Sequence, residues 1–362
     1  MKLSNSNNNS FSSSIISNNN KVNNLKPLKK PFQNISNLPN KEKSHSNKKN
    51  ENKLQKNNHN IKNNYFISYN KNFNHNKNNI FNNIINNPQY VYEYMNIIYM
   101  NLLDFENKNI PNYQTIFKNQ NKISFQQRID CIIFINQINH FFSSLQETHF
   151  LCINILDRFI CNYSNIEIKD LNSICCSTMF IANKFEEVYI PLLNDFTKVT
   201  NNEVKEKEIL KWEYKILSSL NFEILTVSPL FFLERTHFFS QDDNKEVFYL
   251  SELLLEILFY DINFMKFKIS LRVNSVYYIS RKIIYNNEDN IWNNKLKLFT
   301  GYNEKDLKEC IKEGMSFIKK FVKNKIIKKY KDDFLFFKYD SKKYFSVSNL
   351  FLKKIKENNF FS

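Results

Sequence analysis

The sequence predicts an all-α protein with two consecutive units of about five helices, preceded by one helix and a low-complexity tail. Three observations support this fold class. After Pro88, apolar residues recur at spacings of three and four, the period of a helix packed on one side. The alternation of apolar and polar residues that marks a strand is scarce. Pro229 divides the helical region into two parts of similar length, which fits an all-α architecture.

The apolar pattern predicts the individual helices. The helix after Pro88 has an apolar stripe of Tyr94, Ile97, Ile98, Leu102 and Phe105. The first unit continues with helices expected at about 124–142, from 146, over 171–182 and at about 204–220. The second unit includes helices expected over 246–260, 269–284 and 303–322, with Trp292 in a shorter helix. We therefore divide the chain into 1–88, 89–225 and 226–352.

Charge sets the tail apart from the rest of the chain. Residues 1–90 contain 14 Lys, no Arg and two acidic residues, a net charge of +12, whereas the remainder has a net charge of only +4. Residues 1–88 are rich in Asn, Ser and Lys and lack periodicity, so we expect them to be disordered. The nearly neutral folded part predicts no specific nucleic-acid binding.

Composition and motifs give little support to an enzyme. The chain has only two glycines, which excludes a glycine-rich phosphate-binding loop. Its six Cys form no C-x-x-C pair, and its six His form no ligand cluster, so no metal, cofactor or disulfide framework is expected. Residues 2–10 are polar and no 18-residue apolar run occurs. We expect no secretory leader, no membrane contact, and a place in the nucleus or the cytoplasm.

Charged residues stand out from the apolar pattern at four positions. Glu213 falls within the apolar stripe of its helix, and a buried carboxylate needs a partner, either in the core or on another protein. Lys184 lies in a last helical turn, where a cation is usually exposed and favoured by the helix dipole. Arg128 and Asp157 lie among aliphatic residues on two successive helices, so we expect an internal ion pair between them.

Several segments, in the right order and at matching spacings, resemble the cyclin family and its mitotic A/B-type members in particular. Residues 147–159 resemble the segment E-T-L-x-L-x-V-N-x-x-D-R-F, and Arg128 stands nineteen residues earlier, at the spacing of the family's arginine. Residues 181–187 are similar to A-S-K-F/Y-E-E, and residues 209–217 resemble I-L-x-M-E-x-x-I-L. Residues 254–280 and 338–343 are similar to parts of the C-terminal half, so the resemblance covers about 90–350.

The resemblance implies tandem cyclin boxes and a non-catalytic regulatory subunit. Such a subunit binds and activates a cyclin-dependent serine/threonine kinase as a heterodimer in cell-cycle control, and the kinase's substrates are a further class of expected partner. The positions that match kinase-binding residues are Lys184, Glu213, Phe185, Glu186, Phe222, Tyr94 and Ile98. On this view the partner of Glu213 lies on the kinase, and Arg128 and Asp157 correspond to the family's internal ion pair.

The chain departs from the family at the substrate-docking groove. The groove positions are occupied here by Gln127, Asp130, Cys131, Phe134, Gln137, Leu171 and Asn172. Because several of these are polar, we expect weak binding of R-x-L peptides. No Arg precedes Arg128, so the R-x-x-L destruction box of mitotic cyclins is absent from the N-terminal region of this sequence.

A second class of protein is also compatible with these motifs, a cyclin-fold transcription factor that binds promoter DNA. Such factors usually carry an N-terminal zinc ribbon and a basic core, whereas this sequence has no Cys before Cys131 and a core charge of only +4. The kinase regulator is therefore the favoured interpretation.

Overall fold

The computed structural model describes residues 94–108, 110–285, 291–323 and 334–357. The expected disordered tail, residues 1–88, lies outside these ranges. Within them the regular structure consists of α-helices and short 3-10 turns, and there is no strand. The all-α fold class is thereby confirmed.

One helix leads into an N-terminal box of five. Helix α1 spans Met95–Phe105. The box contains α2 (Phe125–Phe142), α3 (Gln146–Asn162), α4 (Leu171–Glu186), α5 (Leu193–Val199) and α6 (Glu206–Ser219). Helix α4 is the centre of the box, because it packs against α2, α3 and α6. Its residues from Ser173 to Asn183 are all buried, so the carboxyl end of α4 is where the central helix returns to the surface.

The C-terminal box begins at Pro229. Its helices are α7 (Pro229–Ser240), α8 (Lys245–Leu258), α9 (Ile262–Met265), α10 (Ile269–Ile284), α11 (Asn294–Thr300), α12 (Glu304–Lys323), α13 (Phe334–Asp340) and α14 (Val347–Glu357). Helix α10 is the central helix of this box and packs against α7, α8, α12 and α14.

Local sequence signals fix several helix ends. Ser124 precedes α2, and its backbone N–H donates to Gln127 Oε1 at 3.0 Å, one half of a capping box. Ser228 caps α7, and Pro229 occupies the first turn, where its missing N–H is not needed. Gly301 ends α11 with φ +74°, a left-handed conformation that glycine adopts without strain.

Two features differ from the sequence-based expectation. Helix α5 has only seven residues and follows Pro191 closely, so its periodicity is too short to be seen in the sequence. Trp292 was expected in a helix but precedes α11. Its indole Nε1–H donates to the carbonyl oxygen of Tyr302 at 2.9 Å, which fixes the loop in place of helical hydrogen bonds.

Helix α1 buries a different side from the expected stripe. Ile97 is 58% exposed and Ile98 is 39% exposed, whereas Tyr99 is buried. The Tyr99 hydroxyl donates to the carbonyl oxygen of Thr300 at 2.9 Å, and its ring lies edge-on to Phe232 of α7. The expected stripe is therefore wrong for Ile97 and Ile98, because the hydrogen bond and ring contact of Tyr99 orient the helix.

A buried ion pair joins α2, α3 and the C-terminal box. Arg128 Nε and Nη2 each donate to Asp157 at 2.7 Å, and both side chains have no exposed surface. Arg128 Nη1 donates to the carbonyl oxygen of Phe259 at 2.7 Å, and the Tyr113 hydroxyl donates to Asp157 at 3.0 Å. A bidentate pair with further hydrogen bonds satisfies both buried charges, so this arginine orients the two boxes as well as two helices.

A second polar cluster lies where α3, α8 and α13 meet. Glu256 of α8 accepts hydrogen bonds at one oxygen from Lys338 Nζ at 2.8 Å and from the Tyr339 hydroxyl at 2.6 Å. Its other oxygen lies 3.6 Å from His149 Nε2. Burial alone would raise the pKa of Glu256, but Lys338 and His149 hold it below its usual value. Burial lowers the pKa of His149 to about 4, so this imidazole is neutral at pH 7.

Glu252, one turn before Glu256, is nearly buried in the same cluster. Burial raises its pKa to about 7, the Glu256 and Glu147 carboxylates add to the rise, and Lys338 and a hydrogen bond from Tyr339 oppose it. The unfolded carboxyl ionises near 4.5, whereas the folded one ionises only near 7. The folded state is therefore penalised increasingly as the pH rises from 4.5 to 7.

We expect Glu252→Gln to stabilise the protein at alkaline pH. The pKa rise from 4.5 to about 7 corresponds to about 3 kcal/mol in the free energy of unfolding at pH 8, and to far less at pH 5. Urea unfolding of both proteins at the two pH values measures this difference. An equal gain at pH 5 and pH 8 would show that ionisation of Glu252 is not its cause.

Candidate protein-docking face

The end of α4 and the middle of α6 bring Lys184 and Glu213 together. Lys184 lies in the last turn of α4, and its ammonium group contacts Glu213 Oε1 in the middle of α6. The expectation that the partner of Glu213 would lie on another chain is thus wrong for the chain by itself. Because α4 and α6 pack side by side, the lysine reaches across and neutralises a carboxylate that lies beside the apolar stripe.

This ion pair lies at the surface. The Lys184 side chain is 38% exposed and the Glu213 side chain is 12% exposed. The ammonium also lies 4.2 Å from the centre of the Phe180 ring, in a cation–π contact. Both groups can therefore exchange part of this contact for hydrogen bonds to another molecule without crossing the protein interior.

Large apolar side chains on α4, on α6 and in the segment after α6 remain exposed. We call this surface the docking face, and its core members besides the ion pair are Phe185, Leu210, Tyr214, Phe222 and Leu225, all between 46% and 71% exposed. Phe185, Phe222 and Leu225 line a cleft of about 630 Å³ together with Phe105 of α1. Exposed apolar residues concentrated in this way are typical of a protein interaction site.

Backbone strain at Phe222 supports a binding role. Asn221 and Phe222 have φ values of 51° and 58°, in the left-handed region. A bulky residue is uncommon there, since the conformation costs about 1–2 kcal/mol. The Phe222 ring is nevertheless 65% exposed and gains little burial in return. Strain of this kind concentrates at functional sites, where it holds a side chain ready for contact.

The loop between α4 and α5 adds apolar residues that the sequence analysis missed. Val188 and Tyr189 are each 86% exposed, and Ile190 and Leu192 are also exposed. In the sequence these residues surround Pro191, where the helical pattern is interrupted. A run of apolar residues directly after Glu187 could have indicated this exposed surface. The run has no helical period, so the sequence predicts no side of it to be buried.

The remaining predicted contact residues occupy different environments. Glu186, two residues after Lys184, is half-buried, and burial, with Glu147 and Glu187 nearby, raises its pKa. Ile98 is exposed on α1, two turns before Phe105 of the cleft. Tyr94 is also exposed.

The expected substrate-docking groove has a polar lining on α2. Gln127 takes part in the capping box of α2, and Asp130 is exposed and accepts a hydrogen bond from Gln126 at 3.0 Å. The other groove positions are buried (Cys131 and Leu171) or half-buried (Phe134, Gln137 and Asn172). A polar lining of this kind suits the expectation of weak peptide binding, which stays a prediction.

The described part of the chain shows no group of three or more His, Cys, Asp or Glu side chains arranged to hold a metal ion. Its described helices also include none that is both long and apolar enough to cross a membrane. What the surface offers instead is the docking face, whose chemistry suits binding another protein.

Two helical boxes with an exposed apolar face around an ion pair define a protein-binding scaffold. Comparison with family models assigns both boxes. The cyclin N-terminal domain matches residues 97–225, and the cyclin C-terminal domain matches residues 227–351. The chain therefore belongs to the cyclin family.

Individual relatives are mitotic cyclins. The chain is 32% identical over 265 residues to G2/mitotic-specific cyclin-B of Spisula solidissima, covering 73% of this chain and 59% of that one. It is 28% identical over 263 residues to G2/mitotic-specific cyclin CLB2 of Candida albicans, covering 72% of this chain and 50% of that one. The chain thus spans about half the length of the curated relatives it matches.

A solved structure supports the fold. The chain resembles a viral cyclin from herpesvirus saimiri with a TM-score of 0.54 at 14% identity. The similarity covers 62% of this chain and 96% of the viral one.

Proposed function

We propose that the chain is a non-catalytic subunit that binds and allosterically activates a cyclin-dependent serine/threonine kinase in cell-cycle control. The observation that carries this proposal is the docking face, which combines exposed aromatic and aliphatic side chains with the Lys184–Glu213 ion pair. Similarity to G2/mitotic-specific cyclins supports the part of the proposal that concerns cell-cycle control.

Activation requires two features that a protein kinase lacks when it is alone. Its catalytic lysine and the glutamate of its αC helix must pair, and its activation loop must be ordered. A rigid platform that binds αC only in the active position shifts the population towards that state by the difference in affinity. The docking face suits this task because α4, its central element, is anchored on three neighbouring helices.

The apolar and the charged residues of such an interface should contribute to binding in different ways. We expect an interface of roughly 2,000 Å² or more, as in other signalling assemblies. The aromatic residues should supply most of the affinity, since large buried rings dominate interface energies. Lys184 and Glu213 should fix the register of the partner helix through charged hydrogen bonds.

The direct test measures phosphate transfer by cyclin-dependent kinases from the same organism, with and without the full chain. We expect one of them to be stimulated at least about 100-fold, with saturation at one chain per kinase. A kinase that binds the chain without stimulation would limit the function to binding. Absence of both binding and stimulation across these kinases would contradict the proposal.

Phe222→Asn separates binding from folding. Asparagine tolerates the left-handed conformation, so the free energy of unfolding should stay unchanged or rise by up to about 1 kcal/mol. Loss of the exposed ring should weaken kinase binding by about 10- to 30-fold. Urea unfolding and calorimetric titration with the kinase measure the two effects.

The matched control is Phe141→Asn, which removes an equally large ring, 50% exposed, from the end of α2 and outside the docking face. It should leave kinase binding unchanged. If both variants bind the kinase equally well, Phe222 is not part of the interface.

A further inference from the structure

Lys338 of helix α13 contacts side chains of both boxes. Lys338 Nζ donates to Glu256 Oε1 on α8 of the C-terminal box at 2.8 Å. The same ammonium donates to Gln146 Oε1 at the start of α3 in the N-terminal box. The Lys338 side chain is 16% exposed, so its charge lies largely inside this junction.

Apolar contacts of α13 sit around this lysine. Leu335, Phe336 and Tyr339 are buried, and the Phe336 ring stacks on Phe321 with centres 6.1 Å apart. Phe337 is 70% exposed, and its ring lies edge-on to His140 of α2 with the ring centres 5.9 Å apart. With seven residues, α13 is too short to be stable as a helix by itself, so its structure depends on these contacts.

Lys338 supplies positive charge to the buried carboxylates of this cluster. It faces the carboxylates of Glu256 and Glu252, and both of these raise its pKa against the effect of burial. His149 is neutral at pH 7 and supplies no positive charge. Removing the lysine charge would leave the Glu256 carboxylate buried without a countercharge, an arrangement that folded proteins avoid. Moving α13 away would let water reach that carboxylate.

We propose that α13 is a releasable clasp. Lys338 closes it on Gln146 and Glu256, two side chains that also contact each other directly across the two boxes. When this contact is lost, α13 opens while both boxes stay folded. The Arg128–Asp157 pair, which also contacts the C-terminal box, continues to hold the two boxes together. The clasp is separate from the docking face and does not depend on the proposed kinase binding.

The test is amide hydrogen exchange of the full chain at pH 7, comparing the wild type with Lys338→Met. We expect exchange in residues 335–340 to accelerate at least about tenfold, because opening of a local segment governs exchange there. Exchange in the buried parts of α4 and α10 should stay at the wild-type rate. Lys342→Met is the matched control, since it removes an exposed lysine from the turn directly after α13 and should change neither rate.

A second variant, Glu256→Gln, keeps the size and hydrogen-bonding capacity of the side chain and removes its charge. We expect the same local pattern with a smaller acceleration, and no further acceleration when it is combined with Lys338→Met. Unchanged exchange in residues 335–340 of Lys338→Met would overturn the clasp. Equal acceleration throughout the chain, or failure of Lys338→Met to fold, would overturn it as well, because α13 would then be inseparable from the boxes.

Discussion

Replacing Lys184 and Glu213 together by alanine is expected to weaken kinase binding by at least about 30-fold and to leave the chain folded. Truncating a desolvated charge at an interface costs about 2–5 kcal/mol, much of it from the partner groups that lose their hydrogen bonds. The double substitution removes both charges at once, so neither is left uncompensated in the free chain. Calorimetric titration with the kinase and urea unfolding measure the two quantities.

The small effect on folding follows from the exposure of the pair. Because the Lys184 side chain is 38% exposed, the ion pair is screened by water and should contribute no more than about 1 kcal/mol to stability. A much larger loss of stability would mean that the pair serves mainly to hold α4 against α6.

The matched control removes another surface ion pair of the same charges. Lys122 Nζ lies 2.7 Å from Glu167 Oε1, and neither residue belongs to the docking face. The variant Lys122→Ala with Glu167→Ala should bind the kinase like the wild type. Equal losses of affinity in both double variants would point to a general charge effect and count against the docking face.

Replacing Arg128 by methionine is expected to lower the free energy of unfolding by about 3–5 kcal/mol. The substitution leaves Asp157 fully buried without its countercharge, while Tyr113 alone still donates to it. It also removes the hydrogen bond to the carbonyl oxygen of Phe259 and so one link to the C-terminal box. Urea unfolding followed by circular dichroism measures the loss.

Lys122→Met serves as the control, because its ion pair is largely exposed to solvent and should contribute little to stability. The double variant Arg128→Met with Asp157→Leu should recover much of the loss, since no buried charge then lacks a partner. If Arg128→Met costs no more than the control, the buried network does not stabilise the fold as described.

Residues whose environment is set within one helix or between two adjacent helices were predictable from the sequence. Arg128 and Asp157 illustrate this, because charges among aliphatic residues on successive helices have few alternatives to pairing. The helix bounds follow in the same way from the apolar period and from residues such as Ser124 and Pro229.

Features that depend on tertiary contacts could not be predicted from the sequence. The partner of Glu213 is Lys184 of the same chain, since the packing of α4 on α6 cannot be derived from either helix alone. The exposed side of α1 is set by the distant contact of Tyr99 with Thr300. Helix α13 packs against distant residues such as Phe321 and Glu256, and its short pattern gave no helical signal.

Side-chain footprinting of the chain by hydroxyl radicals, alone and in complex with its kinase, tests the docking face most directly. Tyr189, Tyr214 and Phe222 are highly exposed in the free chain, and we expect their oxidation to fall several-fold in the complex. Phe141 and Phe337 are also exposed and should react equally in both states. Protection of Phe141 or Phe337 with unchanged oxidation of the first three residues would contradict the account.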